Sequence, residues 1–253
     1  MRILKSIAVA FSMYSRIPMP RFNWATEDMK YHLIFFPWIG GVIGALEYLW
    51  WLFIISYQIP KVVFVAIALA IPLIVTGGFH LDGYMDTSDA LSSYQDKDKR
   101  LEILKDPHIG AFAVIRLCIY GLVIFSALYL MGHDEFLAWI FMFFMARAVS
   151  GICVVRYKKA KATGILNTEA ETADDKVVMY TLALQIIIIS IVAGILFQYT
   201  WTVCLVALVI TLIYYIYMAY SKFGGITGDL AGWFVCIAEL WSAVLLAVYT
   251  VIR

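Results

Sequence analysis

The stretch GGFHLDGYMDTSDALSS, residues 77–93, carries three aspartates, Asp82, Asp86 and Asp89. On a helix this spacing puts them within roughly 60° of one another, because about 3.6 residues complete a turn. Three carboxylates on one stripe repel one another unless a cation lies among them. Mg²⁺ is a hard cation that is usually bound by one or two protein carboxylates together with substrate phosphate oxygens. The spacing therefore favours a metal–diphosphate site over a merely solvated acidic helix start.

Two glycine loops share the form G-G-x-x-x-D, namely GGFHLD at residues 77–82 and GGITGD at residues 224–229. Loops of this kind bring backbone N–H groups close to an anion at the start of a helix. Both loops follow an apolar run that we orient below from the outside to the inside of a membrane. We interpret them as two related phosphate-handling loops that converge on one site.

Other polar residues near these loops are candidates for binding substrate or transferring protons. The cluster Lys97-Asp98-Lys99-Arg100 is more typical of a solvated face. Lys105 and Asp106 stand just before an apolar run, so we expect them at the membrane surface. His80 and His108 are acid–base candidates, since imidazole titrates near neutral pH, and each is equally suited to an interfacial hydrogen bond.

Four ionisable residues lie inside apolar runs: Glu47, Arg116, Arg147 and Glu239. Such residues are expensive in lipid and normally face the interior of a helix bundle. We expect ion pairs between Glu47 and Arg147 or between Glu239 and Arg116. Arg147 is also a candidate phosphate ligand if it lies near the cytoplasmic end of its helix.

Seven apolar runs are the elements that must position these residues. The chain has 253 residues, of which 63% are apolar, against about 45–50% in ordinary soluble domains. A helix needs about 20 apolar residues to cross a bilayer, and roughly 17 still suffice. The runs do not alternate in polarity, which predicts helices and not a β-barrel. They are residues 33–56, 62–76, 111–131, 136–155, 177–197, 201–220 and 230–252.

The run 62–76 is the weakest of these because it is short and contains Pro72, which kinks helices. Since the connections are too short for a separate soluble domain, we expect residues 1–253 to form one all-α, polytopic integral membrane domain. Fifteen Lys and Arg residues fall on one side of this topology, and only Lys61 and Arg253 on the other. The positive-inside rule then predicts a cytoplasmic N-terminus and an external C-terminus.

The chain starts with MRILKSIAVAFSMYS, a basic and apolar stretch that ends before the proline turn RIPMP. We predict an interfacial helix there, on the cytoplasmic side. The long polar segments 16–32, 77–110, 156–176 and 221–229 all lie on that side. A transporter is expected to place polar groups near the midplane. Polar groups gathered at one face favour an enzyme that takes its substrates from the cytosol.

Together these motifs resemble the signature of the cobalamin synthase family, the adenosylcobinamide-GDP ribazoletransferases. The resemblance rests on GGFHLDGYMDTSDAL followed by LEILKDPHIGAFAV, and similar stretches cover most of the chain: SRIPMP, FFPWIGGVIG, ARAVSG and FGGITGDLAG. The aspartate stretch and the GGITGD loop are the most specific of them. The sequence departs from the family in VVRYKKAKATGILN, where Lys161 and Ala162 stand before Gly164 in place of an arginine–proline pair.

The resemblance implies a Mg²⁺-dependent transferase in the cytoplasmic (inner) membrane of a prokaryote, with an active site that faces the cytoplasm. The hydroxyl of α-ribazole, or of its 5′-phosphate, attacks the diphosphate of adenosylcobinamide-GDP. GMP leaves, and adenosylcobalamin or its phosphate forms. We expect these two substrates and the lipid bilayer as partners, and no nucleic acid. Homo-oligomerisation and association with other enzymes of cobalamin assembly are left open.

On this hypothesis Asp82 and Asp86 hold the metal, and Asp89 either completes the metal site or takes the proton of the attacking hydroxyl. A general base must come within about 3 Å of that proton, so His80 is a second candidate. Asp229 binds the second substrate or a further metal ion. The remaining candidates for substrate binding are Arg16, Gly77, Gly78, Arg100, Lys105, Asp106, Arg147, Gly224, Gly225, Thr227 and Gly228.

Two other classes of protein share part of this pattern. Membrane phosphotransferases of the CDP-alcohol type also open with D-G-x-x, but their signature continues with an alanine–arginine pair, where this chain has Met85 and Asp86. A cation- or proton-coupled transporter would use Glu47 and Glu239. Substrate-dependent release of GMP in detergent distinguishes the enzyme from the transporter.

Overall fold

The computed structural model describes residues 2–20, 23, 25–160 and 172–253. The departure at Lys161 and Ala162 lies outside these residues. A 3-10 helix spans Thr26–Tyr31, and a π-helical turn spans Ala219–Phe223. The α-helices are α1 (Arg2–Tyr14), α2 (His32–Tyr57), α3 (Lys61–Thr76), α4 (Phe79–Ser92), α5 (Lys97–Ile103), α6 (Ala111–Leu130), α7 (His133–Trp139), α8 (Met142–Arg156), α9 (Asp175–Phe197), α10 (Tyr199–Met218) and α11 (Gly228–Ile252).

The predicted all-helical membrane bundle is confirmed. Six helical segments of the described chain are long and apolar enough to cross a bilayer, and α7 and α8 together form one of them. The seventh predicted span, α3, passes the same test only together with α4, from which it is bent by 96°. We take α3 as the crossing helix and α4 as the element beyond the bend. The crossing segments are Glu27–Tyr57, Ala111–Leu130, His133–Arg156, Asp175–Phe197, Tyr199–Phe223 and Gly228–Ile252.

Hydrogen bonds group the connecting segments at two opposite ends of the bundle, as in the predicted topology. At one end the Arg16 backbone N–H donates to the Val75 carbonyl over 2.8 Å. At the opposite end Lys61 Nζ donates to the Met131 carbonyl over 2.8 Å, and the Gly132 N–H donates to Thr250 Oγ1 over 3.4 Å. We call the first end the polar face, formed by residues 15–20, 77–110, 156–160 and 219–229. Which side of a membrane it faces stays a prediction.

Close packing between α2 and α8 holds the middle of the bundle together. A Cβ on Gly44 would come within 2.9 Å of the Ile140 carbonyl oxygen, and one on Gly40 would overlap the backbone of Phe143. Small residues four apart let helix backbones approach in membranes, where lipid provides little apolar driving force. The FFPWIGGVIG stretch therefore serves the fold at these two glycines.

The buried ion pair differs from both predicted pairs. Arg147 Nη1 lies 2.8 Å from Glu239 Oε1, so α8 is joined to α11. Trp139 Nε1 also donates to the Glu239 backbone carbonyl over 2.9 Å. The predicted pair of Glu47 with Arg147 is wrong, because Arg147 pairs with Glu239. The predicted pair of Glu239 with Arg116 is wrong, because Arg116 lies on the exposed face of α6 and Glu239 faces α8.

Candidate active site

The corner between α3 and α4 depends on two glycines in the left-handed region of backbone conformation. Gly77 has a φ of 66° and Gly78 a φ of 81°, values that cost little only for glycine. They allow the 96° bend that turns α4 away from α3. The side chain of Arg16 lies against Gly77, where an added Cβ would overlap it. The structure thus brings the predicted residues Arg16, Gly77 and Gly78 together at this corner.

α4 presents two chemically different faces, as the aspartate spacing predicts. Asp82 is exposed, and Asp86 and Asp89, which share its side of the helix, are half-buried. The opposite side buries His80, Tyr84 and Thr87 against the bundle. Because residues 80 and 82 differ by about 200° around a helix, the imidazole does not share the face of the aspartates.

A fourth aspartate joins this face from α11. Thr227 is the N-cap of α11, and its Oγ1 accepts a hydrogen bond from the Leu230 N–H over 3.2 Å. Asp229 follows in the first turn, where its backbone lies against Gly83 of α4. A Cβ on Gly83 would be 2.7 Å from the Asp229 carbonyl oxygen and 2.9 Å from its Cα. Glycine at position 83 therefore permits the approach of α11 to α4.

The charges of these four residues act on one another. Burial raises the pKa of Asp86 to about 6, and the neighbouring carboxylates Asp82, Asp229 and Asp89 add to the rise in that order. We call Asp82, Asp86, Asp89 and Asp229 the carboxylate cluster. A site where ionised carboxylates repel one another favours a proton or a cation.

The carboxylate cluster has the donor chemistry of a magnesium site, since it offers oxygen ligands only. Within the described residues, the side chains as they stand do not place three or more His, Cys, Asp or Glu residues in a metal-binding arrangement. The residues therefore fit Mg²⁺ by donor type and by the excess of negative charge.

Gly110 was not among the predicted site residues, and it borders the carboxylate cluster. It is the N-cap of α6, and an added Cβ there would overlap the carboxylate oxygens of Asp89. Its φ of −78° is open to any residue, so contact and not backbone strain calls for glycine. The signal in the sequence that could have indicated its role is its position at the end of the motif LEILKDPHIG.

The second glycine loop pairs with the segment after α8. The Ile226 N–H donates to the Lys158 carbonyl and the Ala160 N–H donates to the Ile226 carbonyl, both over 2.9 Å. A Cβ on Gly225 would be 2.6 Å from the Lys158 carbonyl oxygen. Gly225 is thus required by this pairing, and residues 156–160 shape the loop that leads to Asp229.

Lys159 secures that segment and was not among the predicted site residues. Its Nζ donates to the carbonyls of Val154 and Tyr157, the latter over 2.7 Å, at the carboxyl end of α8. A cation is favourable at that end of a helix. The side chain therefore fastens the backbone that pairs with Ile226.

The basic helix α5 lies against the π-helical turn before the second glycine loop. Lys97 Nζ donates to the Tyr220 carbonyl and Arg100 Nη1 to the Lys222 carbonyl, each over 3.4 Å. Lys97, Asp98 and Lys99 are exposed, as expected of a solvated face, and Arg100 is half-buried.

The remaining predicted residues lie in three different surroundings. Lys105 and Asp106 stay exposed, and hydrogen bonds from His108 lower the pKa of Asp106. Arg147 is buried and paired with Glu239. His80 is 5% exposed and packs against the rings of Phe36 and Phe79.

Comparison with known proteins gives one consistent result. A sequence model of the family described as Cobalamin-5-phosphate synthase matches residues 6–247. A protein of Lachnoclostridium phytofermentans named adenosylcobinamide-GDP ribazoletransferase is 37% identical over 98% of this chain and 95% of its own. Proteins of the same name from Clostridium perfringens and Listeria monocytogenes are 30% and 28% identical, over 96% and 95% of this chain and 98% and 100% of theirs. No solved structure matches the chain.

Proposed function

The chain belongs to the cobalamin-5-phosphate synthase family, and from that premise we propose how its carboxylate cluster transfers a phosphate group. The protein acts as an adenosylcobinamide-GDP ribazoletransferase in cobalamin biosynthesis, as its relatives do. It is neither a CDP-alcohol phosphotransferase nor a transporter, the two alternatives that parts of the pattern suggested.

The reaction forms one phosphate ester and breaks one phosphoanhydride. The hydroxyl oxygen of α-ribazole, or of its 5′-phosphate, attacks the phosphorus next to the cobinamide. The bond to the second phosphate breaks, and GMP leaves with the bridging oxygen. The hydroxyl proton passes to a base on the protein. The chain must therefore hold a diphosphate, orient a hydroxyl and accept one proton.

We propose that Asp82 and Asp86 hold a magnesium ion and that Asp229 brings the second glycine loop to it. The bound ion would neutralise the negative charge that develops on the departing phosphate. The observation that carries this proposal is the crowding of Asp86 by three other carboxylates, which add to the effect of burial in raising its pKa to about 6.

Asp89 is the base that we propose for the hydroxyl proton. It shares the face of Asp82 and Asp86 and lies beside Gly110, at the end of the connection between α5 and α6. His80, the other candidate, occupies the opposite side of α4 and packs against aromatic rings. A base must come within about 3 Å of the proton that it removes.

Backbone and basic groups around the carboxylate cluster are suited to the phosphates. Arg16 lies over the corner at Gly77, and the N–H groups of the first turn of α4 follow Gly78. Free N–H groups at a helix start attract anions. We propose that these groups bind the diphosphate, while the loop around Gly224 and Gly228 binds the nucleoside substrate.

We further propose that the polar face is cytoplasmic and that the protein resides in the inner membrane of a prokaryote. One observation supports this orientation. The polar face carries nine Lys and Arg residues, whereas Lys61 and Arg253 lie at the opposite end, and the positive-inside rule assigns basic residues to the cytoplasm.

The test is GMP release by the full chain in detergent, with and without Mg²⁺. We expect Asp82→Asn and Asp86→Asn to lower kcat at least 100-fold, and Asp229→Asn at least 10-fold. Asp98→Asn is the matched control, since Asp98 is an exposed aspartate of α5 that lies on the polar face but outside the carboxylate cluster. Near-wild-type turnover in all three cluster variants, or full turnover without any divalent metal, would refute the proposed site.

A further inference from the structure

A cavity of about 130 Å³ lies inside the bundle, on the side of α4 that faces away from the aspartates. α3, α4, α6, α8 and α11 all contribute to its walls, together with Trp139 of α7. Most of the walls are apolar. The polar groups among them come from Thr76, His80, Tyr120, Arg147 and Glu239.

Two of these residues leave buried nitrogen atoms without partners among the described residues. His80 is 5% exposed, and neither Nδ1 nor Nε2 has a hydrogen-bond partner. Arg147 is 1% exposed; its Nη1 is bound to Glu239 and to the Phe143 carbonyl, but its Nε has no partner. Buried polar atoms are nearly always hydrogen-bonded in proteins, to other groups or to ordered water.

The size and chemistry of the cavity agree with water as its occupant. A water molecule takes about 30 Å³ of liquid volume and needs two to four polar partners. The cavity has room for several, and it presents an imidazole, a guanidinium, a carboxylate and a phenol hydroxyl. An acyl chain would satisfy the apolar walls but would leave the nitrogen atoms of His80 unpaired.

We propose that the cavity is a water site in which ordered water molecules bridge His80 to the Arg147–Glu239 ion pair. This bridge joins the first turn of α4 to α8 and α11 through one hydrogen-bonded network. It thereby sets the rotation of α4 about its axis, and with it the direction in which Asp82 and Asp86 project. His80 is on this view a positioning residue and not the general base.

Radiolytic hydroxyl labelling of the full chain in detergent, in H₂¹⁸O, tests for the water. Radicals formed from bound water oxidise the side chains beside it. Phe143 is 1% exposed and lines the cavity, whereas Phe234 is 0% exposed and does not, so the two form a matched pair. We expect at least fivefold more label on Phe143. Equal labelling of the two residues would overturn the proposal, whether or not any variant folds.

His80 variants test the bridge itself. His80→Leu should lower the Phe143 label at least threefold because an apolar side chain cannot hold the water. His80→Gln, which can donate and accept hydrogen bonds, should keep the label. If His80→Leu does not fold, Tyr120→Phe removes another polar group from the wall and should lower the label by a smaller factor. Undiminished label in the variant that folds would refute the bridge.

The kinetic readout rests on the proposed function, whereas the labelling does not. We expect His80→Leu to lower kcat for GMP release about 10- to 100-fold with little change in the KM for adenosylcobinamide-GDP, and His80→Gln to return kcat to within about fivefold of wild type. Equal losses in both variants would contradict positioning through hydrogen bonds. Wild-type protein that is labelled as expected but releases no GMP would contradict the proposed function alone.

Discussion

Replacing Gly83 by alanine tests whether the contact between α4 and α11 sets the geometry of the carboxylate cluster. The new Cβ would lie 2.7 Å from the Asp229 carbonyl oxygen and 2.9 Å from the Asp229 Cα. Ordinary contacts begin at 3.4 Å, so the backbone of Asp229 must move by about 0.7 Å. The atoms in the way are backbone and not a flexible side chain, which means that the whole start of α11 shifts.

The expected effects on rate and on stability differ in size. A misplacement of about 1 Å at a catalytic site can cost about 100-fold in rate, so a shift of about 0.7 Å should lower kcat about 20-fold. Overpacking costs about 1–3 kcal/mol, but alanine is better than glycine in a helix by about 1 kcal/mol. Since these two terms partly cancel, Gly83→Ala should lose far more activity than stability.

The assay is GMP release together with the melting temperature in the same detergent. Gly194→Ala is the matched control, because Gly194 lies in α9 and its added Cβ would meet only the Trp201 side chain at 3.8 Å. We expect that control to keep wild-type kcat. If Gly83→Ala also keeps kcat within twofold of wild type, the approach of α4 to α11 does not determine the position of Asp229.

Three further perturbations act on other parts of the site. Gly110→Ala should displace the Asp89 carboxylate and lower kcat about 10-fold with little change in melting temperature, because the obstructing atoms end a side chain. Lowering the pH from 7.5 to 5.5 without Mg²⁺ should raise the melting temperature of wild type more than that of Asp86→Asn. The reason is that Asp86 has a pKa of about 6 in the folded protein, so as the pH falls it takes up a proton in the folded state before it does so in the unfolded state. Arg147→Met should destabilise the bundle by about 3–5 kcal/mol, because it leaves Glu239 buried without its partner.

Each of these expectations has a clear contrary result. Gly110→Ala with wild-type kcat would mean that Asp89 has no role in the reaction. An identical pH dependence in wild type and Asp86→Asn would mean that Asp86 does not titrate near pH 6. Arg147→Met/Glu239→Leu, which removes both charges, should recover most of the lost stability. Failure to recover it would assign the loss to packing and not to the unpaired carboxylate.

The crossing helices could be predicted from the sequence because hydropathy acts locally. Runs of about 20 apolar residues have few alternatives to a spanning helix, since lipid cannot hydrogen-bond to an open backbone. The exception is the weak run 62–76, which qualifies only together with α4 across a 96° bend. The two glycines that permit the bend were predicted as phosphate ligands, and the need for a left-handed backbone at both was not recognised.

The carboxylate cluster was partly predictable for a similar reason. The spacing of Asp82, Asp86 and Asp89 defines a shared side of α4 wherever that helix packs. Gly110 and Lys159 were not found, because each acts through a contact with residues far away in the chain: the first with Asp89, the second at the carboxyl end of α8. Such contacts have no local periodicity for a pattern to detect.

The sequence by itself determined the class of protein, the order of its spans, the acidic face of α4 and the family to which the chain belongs. These properties depend on composition, on helix periodicity and on motifs that are continuous along the chain. Only the tertiary structure decided that Arg147 pairs with Glu239, that His80 faces a buried cavity and that Asp229 reaches α4. The rotation of each helix about its axis is set by packing against its neighbours, and a single helix does not encode it.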